Sequence, residues 1–160
     1  MEYLSTKDIE QQTLIDLFNT NWESDEMVIS TGTYQLSKLP GIAAYEDGQI
    51  LGLITYKIYE DHVEIISLDS FLQNKGIGSK LLKILEQTCE KKQITRITVI
   101  TTNDNINALK FYQKRGYRIK QVLPNAVEKA RQLKPTIPLV AENGIAIKDE
   151  IELEKSESHL

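Results

Sequence analysis

The sequence has very little of the chemistry that cross-linked or metal-binding domains depend on. Cys89 is its only cysteine in 160 residues, which excludes an internal disulfide and is typical of a reducing compartment. Because Cys89 follows Leu81 and Leu85 at helical spacing, we expect a packed core thiol rather than a nucleophile. The two histidines, His62 and His159, have no spacing that resembles a metal site. We therefore expect no metal.

The sequence also lacks a long apolar run and an excess of positive charge. No stretch approaches a membrane span, and the polar residues 1–7 carry no signal peptide, so we expect a cytoplasmic protein with no membrane partner. The formal net charge of -4 provides no basic surface for nucleic acid. A chain of 160 residues is long enough for one complete core and too short for two ordinary domains, which predicts a single domain over residues 1–160.

What the sequence does contain is an alternation of strand and helix patterns. Asp8 can cap a helix over residues 9–18, whereas residues 19–40 are typical of a long loop with short helical pieces. Predicted strands follow at residues 41–45, 50–59, 62–68, 94–101, 117–123 and 147–154, and predicted helices at residues 76–91, 105–115 and 124–133. The first three of these strands form an antiparallel meander. The alternation of strands and helices after them implies an α/β layer.

A glycine pair marks the turn between the third of these strands and the next helix. At Gly76 and Gly78 the free N–H groups and the dipole of a helix N-terminus favour an anion, and glycine lets a phosphate approach the main chain. The P-loop pattern fails because Gly78 is followed by Ser79 and then Lys80, and the dinucleotide fingerprint fails because Leu81 replaces its third glycine. Alone, the turn indicates either an anion site or a tight structural turn.

A second motif lies downstream, on the predicted helix 105–115. The two motifs, in chain order, are Gln73-x-x-Gly76-x-Gly78 and Asn105-x-x-Ala108-x-x-Phe111-Tyr112, the second followed by Gly116-Tyr117. In this order they resemble the GNAT superfamily of N-acetyltransferases, in detail over residues 41–117. The resemblance implies an α/β fold with a mixed, mostly antiparallel sheet of six or seven strands, splayed between the fourth and fifth strands, and helices on both faces. It also implies an enzyme with acetyl-CoA as co-substrate.

The same resemblance implies a set of acetyl-CoA contacts. Main-chain amides of residues 73–79 would bind the pyrophosphate, and the main chain of Leu68 and Ser70 would pair with the pantetheine arm. The full expected set is Leu68, Ser70, Gln73, Asn74, Lys75, Gly76, Ile77, Gly78, Ser79, Asn105, Ala108 and Tyr112. Helical spacing puts Asn105, Ala108 and Tyr112 on one face, and Asn105 and Tyr112 lie roughly 10 Å apart along the axis, which suits an extended arm.

Tyr112 and Glu64 are the predicted catalytic residues. Tyr112 keeps its proton at neutral pH and can offer it to the departing thiolate, as the family match implies. Glu64 and His62 lie two apart on one strand and share a face with Leu68 unless a bulge intervenes. Glu64 lies deeper in the strand and is the preferred base, acting through water, with His62 or water alone left open. The main-chain N–H around Leu68 is the expected oxyanion donor.

The acceptor is the least determined part of the reaction. We expect a primary amine of a small molecule or peptide, entering over residues 19–40 and 123–144. Trp22, Tyr34, Glu23 and Glu26 either line an aromatic and acidic pocket for an amine or cover the core and face water. An alternative function is a non-catalytic acetyl-CoA-binding regulatory or interaction module, and a nucleotide-binding protein is a third. A homodimer is possible, since dimers are common among similar proteins.

Overall fold

The computed structural model describes residues 1–156, and within them the chain forms nine strands and four α-helices. The strands are β1 (Glu2–Ser5), β2 (Glu26–Ile29), β3 (Gly32–Gln35), β4 (Gly41–Glu46), β5 (Gln49–Ile58), β6 (Val63–Ser70), β7 (Arg96–Thr102), β8 (Arg118–Leu123) and β9 (Glu150–Ser156). The helices are α1 (Gln11–Trp22), α2 (Ile77–Lys91), α3 (Ile106–Lys114) and α4 (Ala126–Leu133). His159, considered above as a metal ligand, lies outside the described residues.

Seven of these strands form one mixed sheet in the order β1-β4-β5-β6-β7-β9-β8. All neighbouring strands are antiparallel except β6 and β7, which run parallel. These two are the fourth and fifth strands across the sheet, and they pair only between residues 63–65 and 97–99. Beyond Ile65 and Val99 they separate. The predicted mixed sheet and its splay are therefore confirmed.

An apolar core lies on each face of the sheet, so the helices lie on both faces, as predicted. On one face, α1 buries Leu14 and Phe18 against Leu53 of β5. On the other face, α2 buries Leu81 and Cys89 in a larger cluster that α3 also joins. Cys89 is only 1% exposed, which confirms the expected core thiol.

The first helix departs from the prediction at both ends. It begins at Gln11 rather than residue 9, and Asp8 does not cap it because Asp8 ends a 3₁₀ turn, Thr6–Asp8. The N–H of Ile9 bonds back into this turn, at 3.1 Å from the Thr6 carbonyl. The helix then continues to Trp22 and ends where Glu23 takes a left-handed φ of 61°.

Residues 19–40 are not a long loop. After the end of α1, β2 and β3 form an antiparallel hairpin with Glu26 opposite Gln35 and Ile29 opposite Gly32. The prediction of a loop is wrong because each strand has four residues, too few for an alternating pattern to stand out. The unpredicted β1 is equally short and supplies the seventh strand of the sheet.

From residue 41 onward the predicted elements agree with the structure, except at the start of the last strand. This strand, β9, begins at Glu150 rather than residue 147. The N–H groups of Lys148 and Asp149 both bond to the side-chain oxygen of Asn103, at 3.0 Å, instead of to a neighbouring strand. Within residues 1–156, no helix is long and apolar enough to cross a membrane.

Candidate active site

A cleft opens where β6 and β7 separate. Its volume is about 340 Å³, and its walls come from the ends of β6 and β7, from α3, from β2 and from the segment after α4. Four of the residues predicted from sequence line it together: Leu68, Asn105, Ala108 and Tyr112. The splay thus brings the second sequence motif and the end of β6 to one place.

Tyr112 contributes the buried part of the α3 wall. Its side chain is 5% exposed and packs edge-on against Phe111 and Tyr117, with ring centroids 5.2 and 5.4 Å away. Burial raises the pKa of Tyr112 well above that of a free phenol, and the negative charge of Asp69 adds to the rise. The phenol therefore keeps its proton throughout the neutral range and can act as a hydrogen-bond donor.

Asn105 is the N-cap of α3. Its side-chain oxygen accepts a hydrogen bond from the N–H of Ala108 at 3.1 Å, the contact for which asparagine is favoured at this position. The oxygen is engaged in the cap, so the NH₂ group is the part of the side chain that can donate to a ligand in the cleft.

The turn into α2 follows β6 directly and exposes its main chain. Asn74 and Gly76 have left-handed φ angles of 61° and 66°, and Gly76 is the N-cap of the helix. The first N–H groups of a helix have no partner within it and lie at the positive end of its dipole. The side chain of Ile77 is buried at 1% exposure, so only its main chain can contribute to an anion site.

Gly52 lets α2 lie close to the sheet. A Cβ atom at this β5 position would lie 2.5 Å from a methyl carbon of Ile77 and 3.0 Å from the main-chain oxygen of Asp69. The first contact is shorter than atoms tolerate, and the second is tighter than most packed contacts. The absence of a side chain at Gly52 therefore lets the start of α2 pack closely against β5.

Arg115 adds a positive charge beside the same helix N-terminus, a contact that sequence reasoning missed. Its guanidinium lies 3.8 Å from the ring centroid of Phe111 and donates to the hydroxyl of Ser79 from Nε, at 3.1 Å, and from Nη2. Nη1 donates to the Phe111 carbonyl at 2.9 Å. Arg115 lies between the residues that define the second motif, and nothing in their pattern indicates a contact with Ser79 of the first motif.

A β-bulge divides β6 into two halves. Ser67 pairs with Thr55 and Ile65 pairs with Tyr56, so Ile66 is an extra residue with no partner on β5. A bulge of this kind shifts the alternation of side chains by one position. Glu64 therefore does not share a face with Leu68, as simple alternation predicts; Leu68 packs with the α2 cluster.

Glu64 lies beneath the β2–β3 hairpin rather than in the cleft wall. It is 2% exposed and accepts hydrogen bonds from the hydroxyls of Thr31 at 2.9 Å, Tyr59 at 3.3 Å and Tyr34 at 3.4 Å. A second buried carboxylate, Glu150, accepts from the N–H of Ser30 at 3.2 Å. Both acids hold the turn of the hairpin, and Glu64 is absent from the cleft lining.

His62 lies farther out than Glu64. Its ring stacks on Tyr59 at a centroid distance of 4.5 Å and lies 2.7 Å from the carboxylate of Asp61. It is likewise absent from the cleft lining. Among residues 1–156, no three histidine, cysteine, aspartate or glutamate side chains are grouped to bind a metal.

Asp69 is the acidic side chain that β6 does present to the cleft. Burial is the main cause that raises its pKa from 3.8 to about 6, and a hydrogen bond from the side chain of Trp22 opposes the rise. Simple alternation from Glu64 does not select Asp69, because an odd separation along a strand puts two side chains on opposite faces. Only the bulge at Ile66 indicates its true direction.

The far side of the cleft is built by the β2–β3 hairpin and the segment after α4. Trp22, Glu26 and Ile29 line it from the hairpin side, and Lys134 and Ile137 line it from the other. The ammonium of Lys134 donates to the main-chain oxygen of Glu26, so these two separate segments are joined above the cleft.

Comparison with known proteins agrees with this geometry. The sequence model of the Acetyltransferase (GNAT) family matches residues 8–117. The uncharacterised protein YdhI of Bacillus subtilis is 52% identical over 152 residues, which cover 94% of this chain and 95% of YdhI.

Two solved structures share the architecture. A GNAT family acetyltransferase from Elizabethkingia anophelis, crystallised with acetyl-CoA bound, is 26% identical with a TM-score of 0.65 over 76% of this chain and 78% of the other. The IAA acetyltransferase from Bacillus cereus is 22% identical with a TM-score of 0.69 over 97% and 99% of the two chains. By sequence and by fold, this chain belongs to the GNAT family of acetyltransferases.

Proposed function

We propose that this protein transfers the acetyl group of acetyl-CoA to a primary amine of a small molecule or peptide. The reaction is direct attack of the amine in a complex that holds both substrates. The observation that carries this proposal is the single cleft that joins the α3 wall, with Tyr112, to the opposite wall, with Trp22 and Glu26. Direct attack requires such an arrangement, because the amine must lie against the thioester carbonyl.

Acetyl-CoA would enter from the α2 end of the cleft. Its pyrophosphate fits the N–H groups of the turn from Gln73 to Ser79, where Lys75 and the Arg115 guanidinium add positive charge. The pantetheine arm would follow the main chain of Leu68 and Ser70 in the gap left by β7. In this direction the thioester would lie near Tyr112.

Tyr112 would stabilise the departing thiolate. Because burial keeps its phenol protonated, it can donate a hydrogen bond to the sulfur and supply a proton as the C–S bond breaks. A main-chain N–H near Leu68 would stabilise the oxyanion of the tetrahedral intermediate. Both roles need only groups that are close to the cleft.

Two residues are candidates for the general base, and they differ in their position relative to the cleft. Glu64, predicted from sequence, is engaged by three hydroxyl groups beneath the hairpin, so it would act through Thr31 or a water. Asp69 lines the cleft itself. Variants at the two positions distinguish these routes.

The acceptor would bind between the hairpin and the segment after α4. This part of the cleft combines the indole of Trp22 and the acid Glu26 with apolar side chains such as Ile29 and Ile137. An aromatic face and a carboxylate attract an ammonium group, while the apolar side chains favour a substrate with a hydrocarbon portion.

The test is release of CoA thiol from acetyl-CoA in the presence of spermidine, L-phenylalanine or a short peptide with a free N-terminus. Mass spectrometry of each mixture should reveal an amine heavier by one acetyl group. Incubation with an extract of small metabolites widens the search by the same readout. Acetyl-CoA that binds, as measured by calorimetry, without turnover of any amine would instead support the non-catalytic module.

A further inference from the structure

Asp69 lies near the end of β6, where this strand has separated from β7. It lies beyond the last pair with β7, which is Ile65 with Val99, on the part of the strand that borders the cleft. It is opposite Leu53 on β5, and Leu53 packs with the α1 cluster. Cross-strand partners share a face of a sheet, so Asp69 points toward α1 and the acceptor side.

Two aromatic residues flank the Asp69 carboxylate. Trp22, the last residue of α1, lines the cleft with Asp69, and its indole N–H, the only donor of that side chain, opposes the rise in the pKa of the carboxyl. Tyr112, in the opposite wall of the same cleft, is close enough for the charge of Asp69 to raise its pKa. Asp69 thus lies between the acceptor wall and the residue proposed to serve the leaving group.

We propose that Asp69, oriented by the indole of Trp22, takes the proton from the ammonium group of the acceptor before attack. This inference rests on the proposed function and assigns its general base. Trp22 is a positioning residue, because it acts through the carboxylate. Asp69 would contact the acceptor nitrogen directly.

The proton balance of this step is simple. The acceptor ammonium gives one proton to the Asp69 carboxylate and becomes a neutral amine, which forms the C–N bond with the thioester carbonyl. As the C–S bond breaks, the thiolate takes the Tyr112 proton, and the second proton lost by nitrogen restores Tyr112. Release of the Asp69 proton to water completes one turnover, with one amide, one CoA thiol and one proton formed.

Asp69 suits this role better than Glu64 for two reasons. The three hydroxyl donors around Glu64 occupy its carboxylate oxygens beneath the hairpin, whereas Asp69 borders the cleft. A general base works best when its pKa lies near the working pH, and burial brings Asp69 closer to that range.

Other charged groups face the same space. Tyr112 on α3, Glu26 on β2 and Lys134 after α4 line the cleft with Asp69. Tyr112 keeps its proton in the neutral range, so its phenol does not titrate there. Variants must therefore separate Asp69 from Glu26 and Lys134.

The first test uses the intrinsic fluorescence of the protein, because Trp22 is its only tryptophan. Ionisation of a hydrogen-bonded carboxylate changes indole emission, so the wild type should show a transition with a midpoint near pH 6. Asp69→Asn should abolish that transition, while Glu64→Gln, Glu26→Gln and Lys134→Met should retain it. A transition that persists in Asp69→Asn, or its absence in the wild type, would overturn the proposal.

The second test compares pH profiles of kcat/KM with an amine that the wild type acetylates. Asp69→Asn should reduce kcat/KM at pH 7 by about 100-fold or more and remove the acidic limb, with unchanged acetyl-CoA affinity. Asp69→Glu should restore part of the rate, and circular dichroism checks folding. An acidic limb that survives in Asp69→Asn and disappears in Glu64→Gln would assign the base to Glu64.

The two proposals fail differently. A wild type that acetylates an amine while Asp69→Asn matches its rate would refute only the assignment of the base. A wild type that acetylates no amine would refute the proposed function and this step with it. The fluorescence titration, which needs no substrate, still reports whether Asp69 titrates beside Trp22.

Discussion

Glu64 and Asp69 are five residues apart on β6 and nevertheless face the same side of the sheet. Glu64 is opposite Lys57 on β5, and Asp69 is opposite Leu53. An odd separation normally puts two residues of a strand on opposite faces. The extra residue, Ile66, restores them to one face, so one acid holds the hairpin while the other borders the cleft.

Replacement of Tyr112 by phenylalanine should lower kcat about 10²-fold or more, because the sulfur loses its hydrogen-bond donor. The acetyl-CoA dissociation constant, measured by calorimetry, should change little. Tyr117→Phe is the matched control. The Tyr117 hydroxyl donates to Glu86 at 2.9 Å and is absent from the cleft lining, so this variant should lose stability and keep kcat. Equal rates for wild type and Tyr112→Phe would remove Tyr112 as the acid.

Asp69→Asn should stabilise the fold at pH 7.5 and have little effect at pH 4. The folded-state pKa of Asp69 is raised from 3.8 to about 6, so the folded protein binds its proton more tightly than the unfolded chain. The stability from this carboxyl is present below about pH 4 and is lost as pH rises through about 6. The gain at pH 7.5 is at most about 3 kcal/mol, measured by urea unfolding at both pH values.

Asp61→Asn provides a control of opposite sign. A hydrogen bond with His62 is the main cause that lowers the pKa of Asp61, with Arg96 adding to the effect. Its contribution to stability is present above the unfolded pKa and is lost as pH falls through the lower folded value. Asp61→Asn should therefore not stabilise the fold at pH 7.5. The same response from both variants would contradict the burial argument for Asp69.

Gly52→Ala should destabilise the fold by about 1–3 kcal/mol and weaken acetyl-CoA binding. Its Cβ would lie 2.5 Å from Ile77, so α2 must move away from the sheet and carry the turn with it. Gly78→Ala is the stability control, because its Cβ would meet the Phe111 ring at an ordinary 3.5 Å. Urea unfolding of both variants makes the comparison, and equal stabilities would show that α2 is not held by this contact.

Cys89 should resist thiol reagents in the folded protein. Its side chain is 1% exposed, and burial raises the pKa of the thiol to about 11, so the reactive thiolate is scarce at pH 8. Reaction with Ellman's reagent should be slow in buffer and complete in urea. Cys89→Ala should lose about 1 kcal/mol of stability and retain activity. Rapid labelling of the native protein would contradict the core assignment.

Long elements with strong patterns were predictable from the sequence. The helix that carries Leu81, Leu85 and Cys89 and the strands of the central meander were predicted because their apolar residues recur over many positions. The pairing of Glu2–Ser5 and of Glu26–Ile29 with their neighbouring strands was not predictable. Strands of four residues contain too little pattern and depend on partners distant in sequence.

The candidate site also has some features that were predictable from the sequence and others that were not. The glycine turn and the face of Asn105, Ala108 and Tyr112 are local features, so spacing alone brought them to notice. The direction of Asp69 depends on which residue of β6 lacks a partner on β5, and the reach of Arg115 to Ser79 depends on how two helices pack. No pattern among neighbouring residues in the sequence indicates either relationship.

The sequence by itself determined the family, because the two motifs that carry the resemblance are set by residue spacing over short stretches, and the splayed sheet followed from that resemblance. Only the tertiary structure decided which acid borders the cleft and which supports the hairpin. That choice depends on a one-residue shift in register between β5 and β6 and on the burial that accompanies it, and both arise from contacts between segments far apart in the chain.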